Sequence, residues 1–238
     1  MESNRYCFFD PRSESLFYCG LDLGQVKDYT ASSVIERRPG FPAVYHIRNL
    51  KRFELGTSYP AIVDQIKTAI DNPAIKPNLL FVDSTGVGMA VADMIKQVIP
   101  HFYAVIITAG DTVNAHGRIL KVPKKDLISA LMVVLQTRRL KIPNLLPEAQ
   151  LLLEEMTNFQ VRISSSGHSS FGVWREGIHD DLLLSVALAC WGAEKKFLPH
   201  AIRWPRAVTG RRPTPDCGVL SGDRLTHIVT EYPLTFHL

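Results

Sequence analysis

The sequence predicts an α/β fold in which an antiparallel three-strand meander and parallel strands form one mixed sheet with helices on its faces. Short apolar runs bounded by glycine or proline recur through the first half of the chain, as is typical of buried strands. Between residues 59 and 108 such runs alternate with stretches of helical periodicity, an order that implies parallel pairing with right-handed crossovers. The 46% hydrophobic content of the 238 residues is ample for a core.

The predicted sheet comes mainly from the first half of the chain. The meander is expected from three strands joined by turns, at residues 16–24, 30–36 and 43–54. Alternating helices and strands then follow, at residues 59–70, 79–83, 89–99 and 102–108. The last two strands are continuous apolar runs, which favours burial on both faces.

The second half of the chain predicts more helix. Residues 109–122 are polar and contain glycine, so we expect a flexible loop or a hairpin there. Pro123 occupies the favoured first turn of a helix, and Leu146-Pro147 begins another that runs to about Asn158. Short strands at 159–163 and 169–174 precede a final helix. We expect residues 1–15 to be a lead-in or linker, residues 16–198 to form one domain, and residues 199–238 to be a Pro- and Arg-containing tail.

The final helix begins with an unusual group of polar residues, His179-Asp180-Asp181, followed by an apolar run to Trp191. A helix that is apolar on all sides lies in a core, so its first turn brings two carboxylates to the edge of something buried. Capping of the helix accounts for one Asp. Two neighbouring carboxylates near a core repel each other and lose solvation unless a cation neutralises them.

Two further acids, Asp22 and Asp83, end predicted buried strands and are closely followed by glycine. The carboxyl ends of strands in α/β sheets are the usual location of ligand sites. Each Asp alone is ambiguous, because Asp is also a common turn former. Together with the acids of the final helix, they supply the oxygen ligands that Mg²⁺ prefers. Two such ions in one site can catalyse phosphoryl displacement.

Three ordered motifs carry a resemblance to a known family: Gly20-Leu21-Asp22-Leu23-Gly24 with Asp28, Phe81-Val82-Asp83-Ser84-Thr85-Gly86-Val87-Gly88, and Gly177-Ile178-His179-Asp180-Asp181. They resemble the nuclease domain of large terminase subunits, the DNA-packaging enzymes of tailed phages. Residues 122–127 and 139–142 extend the resemblance, which covers about residues 16–196. It implies a ribonuclease-H-like fold and a metal-dependent DNA endonuclease that cuts phage DNA concatemers during genome packaging.

The resemblance also implies roles for the acids. Asp22, Asp83 and Asp181 would be the catalytic ligands of two Mg²⁺ or Mn²⁺ ions, and Asp180 a further ligand, a helix cap or a partner of the ligands. The choice of Asp181 over Asp180 rests on the family's His-Asp-Asp motif. Asp28 is a second-tier candidate, and His179 is either a metal- or proton-handling residue or a residue just outside the helix cap. Water activated at the ions would attack the scissile phosphate and leave a free 3′ hydroxyl.

Basic residues predict a nucleic-acid partner only weakly. The net charge is +4 and the isoelectric point is about 8.9. Two groups are candidates for contacts to double-stranded DNA: Lys121, Lys124 and Lys125; and Arg37 and Arg38, grouped with Lys51 and Arg52. The lysines begin a predicted helix, where cations oppose the dipole, so a phosphate would account for them. A solvated face is the alternative for each residue. We expect contacts to the DNA backbone that are largely independent of sequence.

The chain has no Gly-x-x-x-x-Gly-Lys-Ser/Thr phosphate loop, because Gly86-Val87-Gly88 lacks the lysine. We therefore expect a nuclease without its own ATPase motor: a piece of a longer protein, a prophage remnant or a separately encoded enzyme. The resemblance implies a terminase ATPase, a small terminase subunit and a portal as partners. Scattered cysteines and the lack of a signal peptide or long apolar run predict a reducing compartment and no membrane contact. The resemblance implies that this compartment is the cytoplasm of a bacterial host.

Other functions remain open at this level. An actin-like sugar kinase shares the Leu21-Asp22-Leu23-Gly24 pattern but needs a second glycine-rich phosphate loop and a second domain. A Holliday-junction-resolvase-like or transposase-like nuclease of the same superfamily would use similar acids. A catalytically inactive DNA-binding prophage remnant would keep the fold without turnover.

Overall fold

A computed structural model describes residues 15–24, 28–76, 78–86, 88–99, 102–163, 169–173, 179–195 and 197. The predicted lead-in, except for residue 15, and the predicted tail at 199–238 lie outside the described residues. So do Cys7 and Cys217, whereas Cys19 and Cys190 are buried free thiols.

The predicted antiparallel meander is confirmed. Its three strands are β1 (Leu16–Asp22), β2 (Ala31–Arg38) and β3 (Val44–Arg52). Strand β2 pairs with both neighbours, so that Ala31 lies opposite Asp22 on one side and opposite Arg52 on the other. This register places residues 22, 31 and 52 in one row at one end of the sheet.

The parallel part of the sheet extends from the other side of β1. Helix α1 (Tyr59–Asp71) leads to β4 (Asn78–Asp83), which pairs in parallel with β1; helix α2 (Gly88–Val98) leads to β5 (Phe102–Thr108). The expected loop or hairpin after β5 is a hairpin of β6 (Asn114–His116) and β7 (Ile119–Pro123), and β7 joins the sheet parallel to β5. Strand β6 is exposed throughout, whereas β7 buries Leu120, Val122 and Pro123.

The remaining elements follow the sheet in the chain. They are α3 (Lys124–Gln136), the two-residue β8 (Leu140–Lys141), α4 (Ala149–Asn158), a hairpin of β9 (Phe159–Ile163) and β10 (Ser169–Val173), and α5 (Asp181–Glu194). The eight-stranded sheet has the order β6-β7-β5-β4-β1-β2-β3-β8. Strand β8 was not predicted, and α4 begins after Leu146-Pro147 rather than at them.

Helices cover both faces of the sheet, as predicted. Helices α1 and α2 pack on one face, where Ile62, Ile66 and Ile95 are buried. On the other face lie α3, α4 and α5. Helix α5 is buried over residues 181–193, because it fills the space between the sheet and the other two helices. No helix in the described residues is long and apolar enough to cross a membrane.

Helix α5 crosses β1 at Gly20, where the two backbones touch. A Cβ at Gly20 would lie 1.8 Å from the carbonyl oxygen of Ser185, closer than any side chain allows. Glycine is therefore required for this approach. The crossing holds the N-terminus of α5 near the end of β1, where Asp22 lies.

Candidate metal-binding active site

Asp22 and Asp83 end two neighbouring parallel strands. The pairing of Leu21 with Val82 brings the next residue of each strand to the same edge. Asp22 is 7% exposed. Burial raises its pKa well above the ordinary value, and the nearby charges of Asp83, Asp181 and Asp180 raise it further.

The carboxyl of Asp83 is anchored by the turn that follows it. Its Oδ1 accepts hydrogen bonds from the backbone N–H of Thr85 at 2.8 Å and from the Thr85 hydroxyl at 2.6 Å. Burial raises the pKa of Asp83, while these bonds and a hydrogen bond with Asp22 oppose the rise. The two carboxyls are thus direct neighbours.

Asp181 is the first residue of α5 and is 5% exposed. Burial, followed by the charges of Asp180 and Asp28, raises its pKa to about 7. The backbone N–H of Tyr29 donates a hydrogen bond to its carboxylate. The Oδ2 atom of Asp181 is buried and has no hydrogen-bond partner among the described residues. Asp181 is therefore the acid of the pair that turns inward.

Asp180 occupies the N-cap position of α5, but its side chain makes no capping hydrogen bond. The prediction that the Asp180 side chain caps α5 is therefore wrong. Its Oδ2 instead lies 3.0 Å from Nζ of Lys124, the first residue of α3. The positive charge of Lys124 also lowers the pKa of Asp22 and Asp83. A phosphate is thus not needed to explain this lysine, because the acids already supply its partner.

A buried acid that the sequence analysis missed, Glu155 of α4, performs the capping. Its Oε2 accepts a hydrogen bond from the backbone N–H of Leu183 at 2.8 Å, and its other oxygen has no partner among the described residues. Burial raises its pKa to about 8, and the charge of Asp181 contributes to the rise. A signal was present in the sequence, since Glu155 follows Leu152 by three residues on the buried stripe of α4.

Four half-buried or exposed residues form the rim of the site. Nδ1 of His179 lies 4.0 Å from Oδ1 of Asp28, too far for a hydrogen bond. The ring of His179 packs edge-on against Tyr29, with centroids 5.2 Å apart. The guanidinium of Arg52 lies over the ring of Tyr29, 4.1 Å from its centroid. Asp28 and His179 thus lie near Asp181 but are more exposed than it.

The other residues predicted to contact DNA are spread over the molecule. Lys121 is exposed on β7, and Lys125 pairs with Asp111. Arg37 lies opposite Leu16, at the far end of the β1–β2 pair from Asp22. Six residues of strand separate Leu16 from Asp22, a distance of about 20 Å. The expected grouping of Arg37 and Arg38 with Lys51 and Arg52 is therefore wrong, because an antiparallel pair places these residues at opposite ends.

No three Asp, Glu, His or Cys side chains of the described residues converge closely enough in this arrangement to hold a metal ion. The hydrogen bonds explain why: Asp83 turns toward Thr85, Asp181 toward Tyr29 and Asp180 toward Lys124. The acids share one edge of the sheet, and side-chain rotations are needed to direct them at one ion.

Comparison with known proteins confirms the predicted resemblance and the ribonuclease-H-like fold. The chain is 23% identical over 180 residues to the terminase large subunits of Thermus phage G20c and Thermus virus P23-45, with 76% of the chain and 32% of each relative covered. It spans about a third of their length. No family model matches the chain.

Solved structures similar in fold are terminase nuclease domains. The nuclease of phage G20c superimposes with a TM-score of 0.56 at 23% identity, covering 75% of this chain and 82% of that one. The same nuclease with bound magnesium gives 0.56 at 24% identity, again covering 75% and 82%. The nuclease domain of Thermus phage P74-26 gives 0.52 at 22% identity, covering 74% and 78%.

Proposed function

We propose that the chain is a metal-dependent DNA endonuclease of the terminase large-subunit type. The observation that carries the proposal is the burial of Asp22, Asp83 and Asp181, three acids from distant parts of the chain, near one another at one end of the sheet. Burial raises the pKa of all three carboxyls, and the charges of Asp83 and Asp181 raise that of Asp22 further. A bound cation would offset the repulsion between these carboxylates and their loss of solvation.

The residues present fit divalent metal ions. Carboxylate oxygens are the ligands that Mg²⁺ and Mn²⁺ prefer, and Asp181 offers a buried oxygen that is otherwise unpaired. Asp22, Asp83 and Asp181 would hold two ions, with Asp180 as a further ligand after it leaves Lys124. Two ions in such a site supply an activated water and stabilise the charge of the phosphoryl transition state.

The other residues of the site prepare these ligands. Glu155 holds the first turn of α5 through Leu183, and so fixes the backbone of Asp181. Lys124 partly neutralises the acids and lowers the pKa of Asp22 and Asp83, which favours the deprotonated form that binds metal. Asp28 and His179 lie where they would contact water or DNA at the rim.

The relatives support a role in phage DNA packaging. On the similarity to terminase large subunits and to a magnesium-bound terminase nuclease, we propose that the substrate is concatemeric phage DNA, cut in the presence of Mg²⁺ or Mn²⁺. We propose a terminase ATPase, a small terminase subunit and a portal as partners, and the host cytoplasm as the place of action.

Cleavage of supercoiled plasmid in Mn²⁺ tests the proposal. Asp22→Asn, Asp83→Asn and Asp181→Asn should each lower the rate by more than about a hundredfold, since loss of even outer partners of metal ligands costs 10- to 100-fold. Asp64→Asn, on the exposed side of α1, is the matched control and should retain the activity. Equal background cleavage by all variants would refute the nuclease and favour a DNA-binding remnant.

A further inference from the structure

Two adjacent basic residues at the end of β3 lie on opposite faces of the sheet. Directly opposite residues of antiparallel strands project on the same face, so the pairs Asp22–Ala31 and Ala31–Arg52 place Arg52 on the face of Asp22. Lys51, the preceding residue, projects to the other face and donates a hydrogen bond to Gln65 of α1. Only Arg52 of this pair therefore faces the acids.

Tyr29 fixes the position of the Arg52 guanidinium. The guanidinium carbon lies 4.1 Å from the ring centroid of Tyr29. Tyr29 is itself fixed, because its backbone N–H binds Asp181 and its ring packs against His179. Gly24 and Asp28 approach each other closely just before Tyr29, since a Cβ at Gly24 would lie 2.2 Å from the carbonyl oxygen of Asp28.

Arg52 differs from other arginines that line the sheet. Arg48 pairs with Glu36, and Arg139 pairs with Glu194 at 2.8 Å. The charge of Arg52 lowers the pKa of Asp181 and of Glu155, yet Asp181 Oδ2 and Glu155 Oε1 have no hydrogen-bond partner among the described residues. Stacking on an aromatic ring leaves the in-plane N–H donors of a guanidinium available for an oxygen ligand.

We propose that Arg52 binds a DNA phosphate next to the phosphate that is cut, with Tyr29 as its support. The fork of a guanidinium matches two phosphate oxygens, and Arg52 is partly exposed beside Asp181. The inference rests on the proposed nuclease function for the identity of the polyanion. Among several exposed cations, Arg52 would then be the one that contacts DNA nearest to the cut phosphate.

Binding to a short fluorescent DNA duplex, followed by anisotropy over a series of NaCl concentrations, tests the proposal. All variants carry Asp22→Asn, so that cleavage does not interfere. Arg52→Ala should weaken binding roughly tenfold and reduce the slope of log K against log salt by about one ion, equally for unrelated sequences. Arg52→Lys should keep the slope and recover only part of the affinity, because the bidentate fork is lost.

Lys51→Ala is the matched control, since it removes the same charge from the neighbouring position on the opposite face. It should leave the salt slope and the affinity within about twofold of the parent. Tyr29→Leu keeps the backbone N–H that binds Asp181 but removes the ring, so it should weaken binding while Arg52 is still present. Far-UV circular dichroism shows whether each variant is folded.

The outcomes separate this inference from the nuclease proposal. If Arg52→Ala and Lys51→Ala change the slope equally, or Arg52→Ala changes only the affinity for Mn²⁺, Arg52 is a local counter-charge for the acids and the inference is overturned. Plasmid cleavage by the protein with an intact Asp22 would then still support the nuclease. Conversely, an Arg52-specific loss of DNA binding without any cleavage would support the contact and refute catalysis.

Discussion

Glu155 accepts a hydrogen bond from the backbone N–H of Leu183 at 2.8 Å, so that helix α4 caps helix α5. The cap comes from another helix because the residue at the N-cap position, Asp180, directs its side chain to Lys124. Because Glu155 supplies the acceptor for the N-terminus of α5, neither Asp180 nor Asp181 is needed to cap the helix, and both would be available to the proposed metal site.

The cap can be tested with an isosteric change. Glu155→Gln keeps an oxygen acceptor for Leu183 and should retain stability and cleavage. Glu155→Ala leaves a buried N–H without a partner and should lower the free energy of unfolding by about 1–3 kcal/mol. Urea unfolding and plasmid cleavage measure the two effects. Glu154→Ala, on the exposed side of the same helix, should stay within about 0.5 kcal/mol of the parent. Equal losses for Gln and Ala would argue against a capping role.

The buried acids predict an unusual pH dependence of stability without metal. Asp181 and Glu155 have pKa values of about 7 and 8 in the folded protein, above their ordinary values of 3.8 and 4.5. Between about pH 4 and pH 8 the folded state keeps protons that the unfolded chain has lost, so the free energy of unfolding falls as pH rises.

Thermal unfolding in EDTA should therefore give a Tm several degrees lower at about pH 8 than at about pH 5.5, since each pK unit is worth about 1.4 kcal/mol. Asp181→Asn should reduce this difference and raise the Tm at the higher pH. Saturating Mn²⁺ should raise the Tm most at the higher pH, because ions bind the deprotonated acids. A Tm that rises with pH in EDTA would mean that the acids are not buried together.

Lys124 and Lys125 are neighbours with different expected effects. Lys124→Met removes the cation that lowers the pKa of Asp22 and Asp83, so both pKa values should rise further and the acid limb of the pH–rate profile should move to higher pH. Lys125→Met removes a cation paired with the 86% exposed Asp111 and should leave the profile unchanged. Identical profiles for the two variants would contradict the proposed role of Lys124.

The backbone contact at Gly20 predicts a severe effect from one methyl group. Gly20→Ala places a Cβ 1.8 Å from the carbonyl oxygen of Ser185, so α5 must move away from β1. We expect a loss of several kcal/mol in stability and, in protein that still folds, a loss of metal affinity. Gly56→Ala, which meets nothing within 4 Å but has a φ of 81°, is a control that carries backbone strain alone. Comparable affinity for Mn²⁺ in Gly20→Ala would show that α5 does not position the ligands.

Much of the sheet and its acids could be predicted from the sequence because the signals are local. Apolar runs indicate the strands, and an acid directly after such a run must lie at the edge of the sheet, as Asp22 and Asp83 do. The inward turn of Asp181 could not be predicted from helical periodicity. Asp181 lies above Leu184, Ser185 and Leu188, Asp180 lies above Leu183, Leu184 and Ala187, and neither row is polar enough to distinguish the two acids. Contacts with the Tyr29 backbone and with Lys124 distinguish the two acids, and these depend on tertiary structure.

The basic residues were predicted less well for the same reason. Arg37 and Arg52 belong to adjacent strands, and their separation follows from the register of the pair rather than from distance along the chain.

Glu155 was missed because polar residues are expected on the protein surface, although its place on the apolar stripe of α4 indicated burial.

The contact between Gly20 and Ser185 joins the first described strand to the last described helix. Asp22 and Asp83 meet as soon as β1 and β4 pair, but the third acid arrives only when α5 has been synthesised and has docked. A chain still emerging from the ribosome therefore holds an incomplete site. If the chain cuts DNA as proposed, the order of synthesis would delay cleavage until α5 has docked on β1.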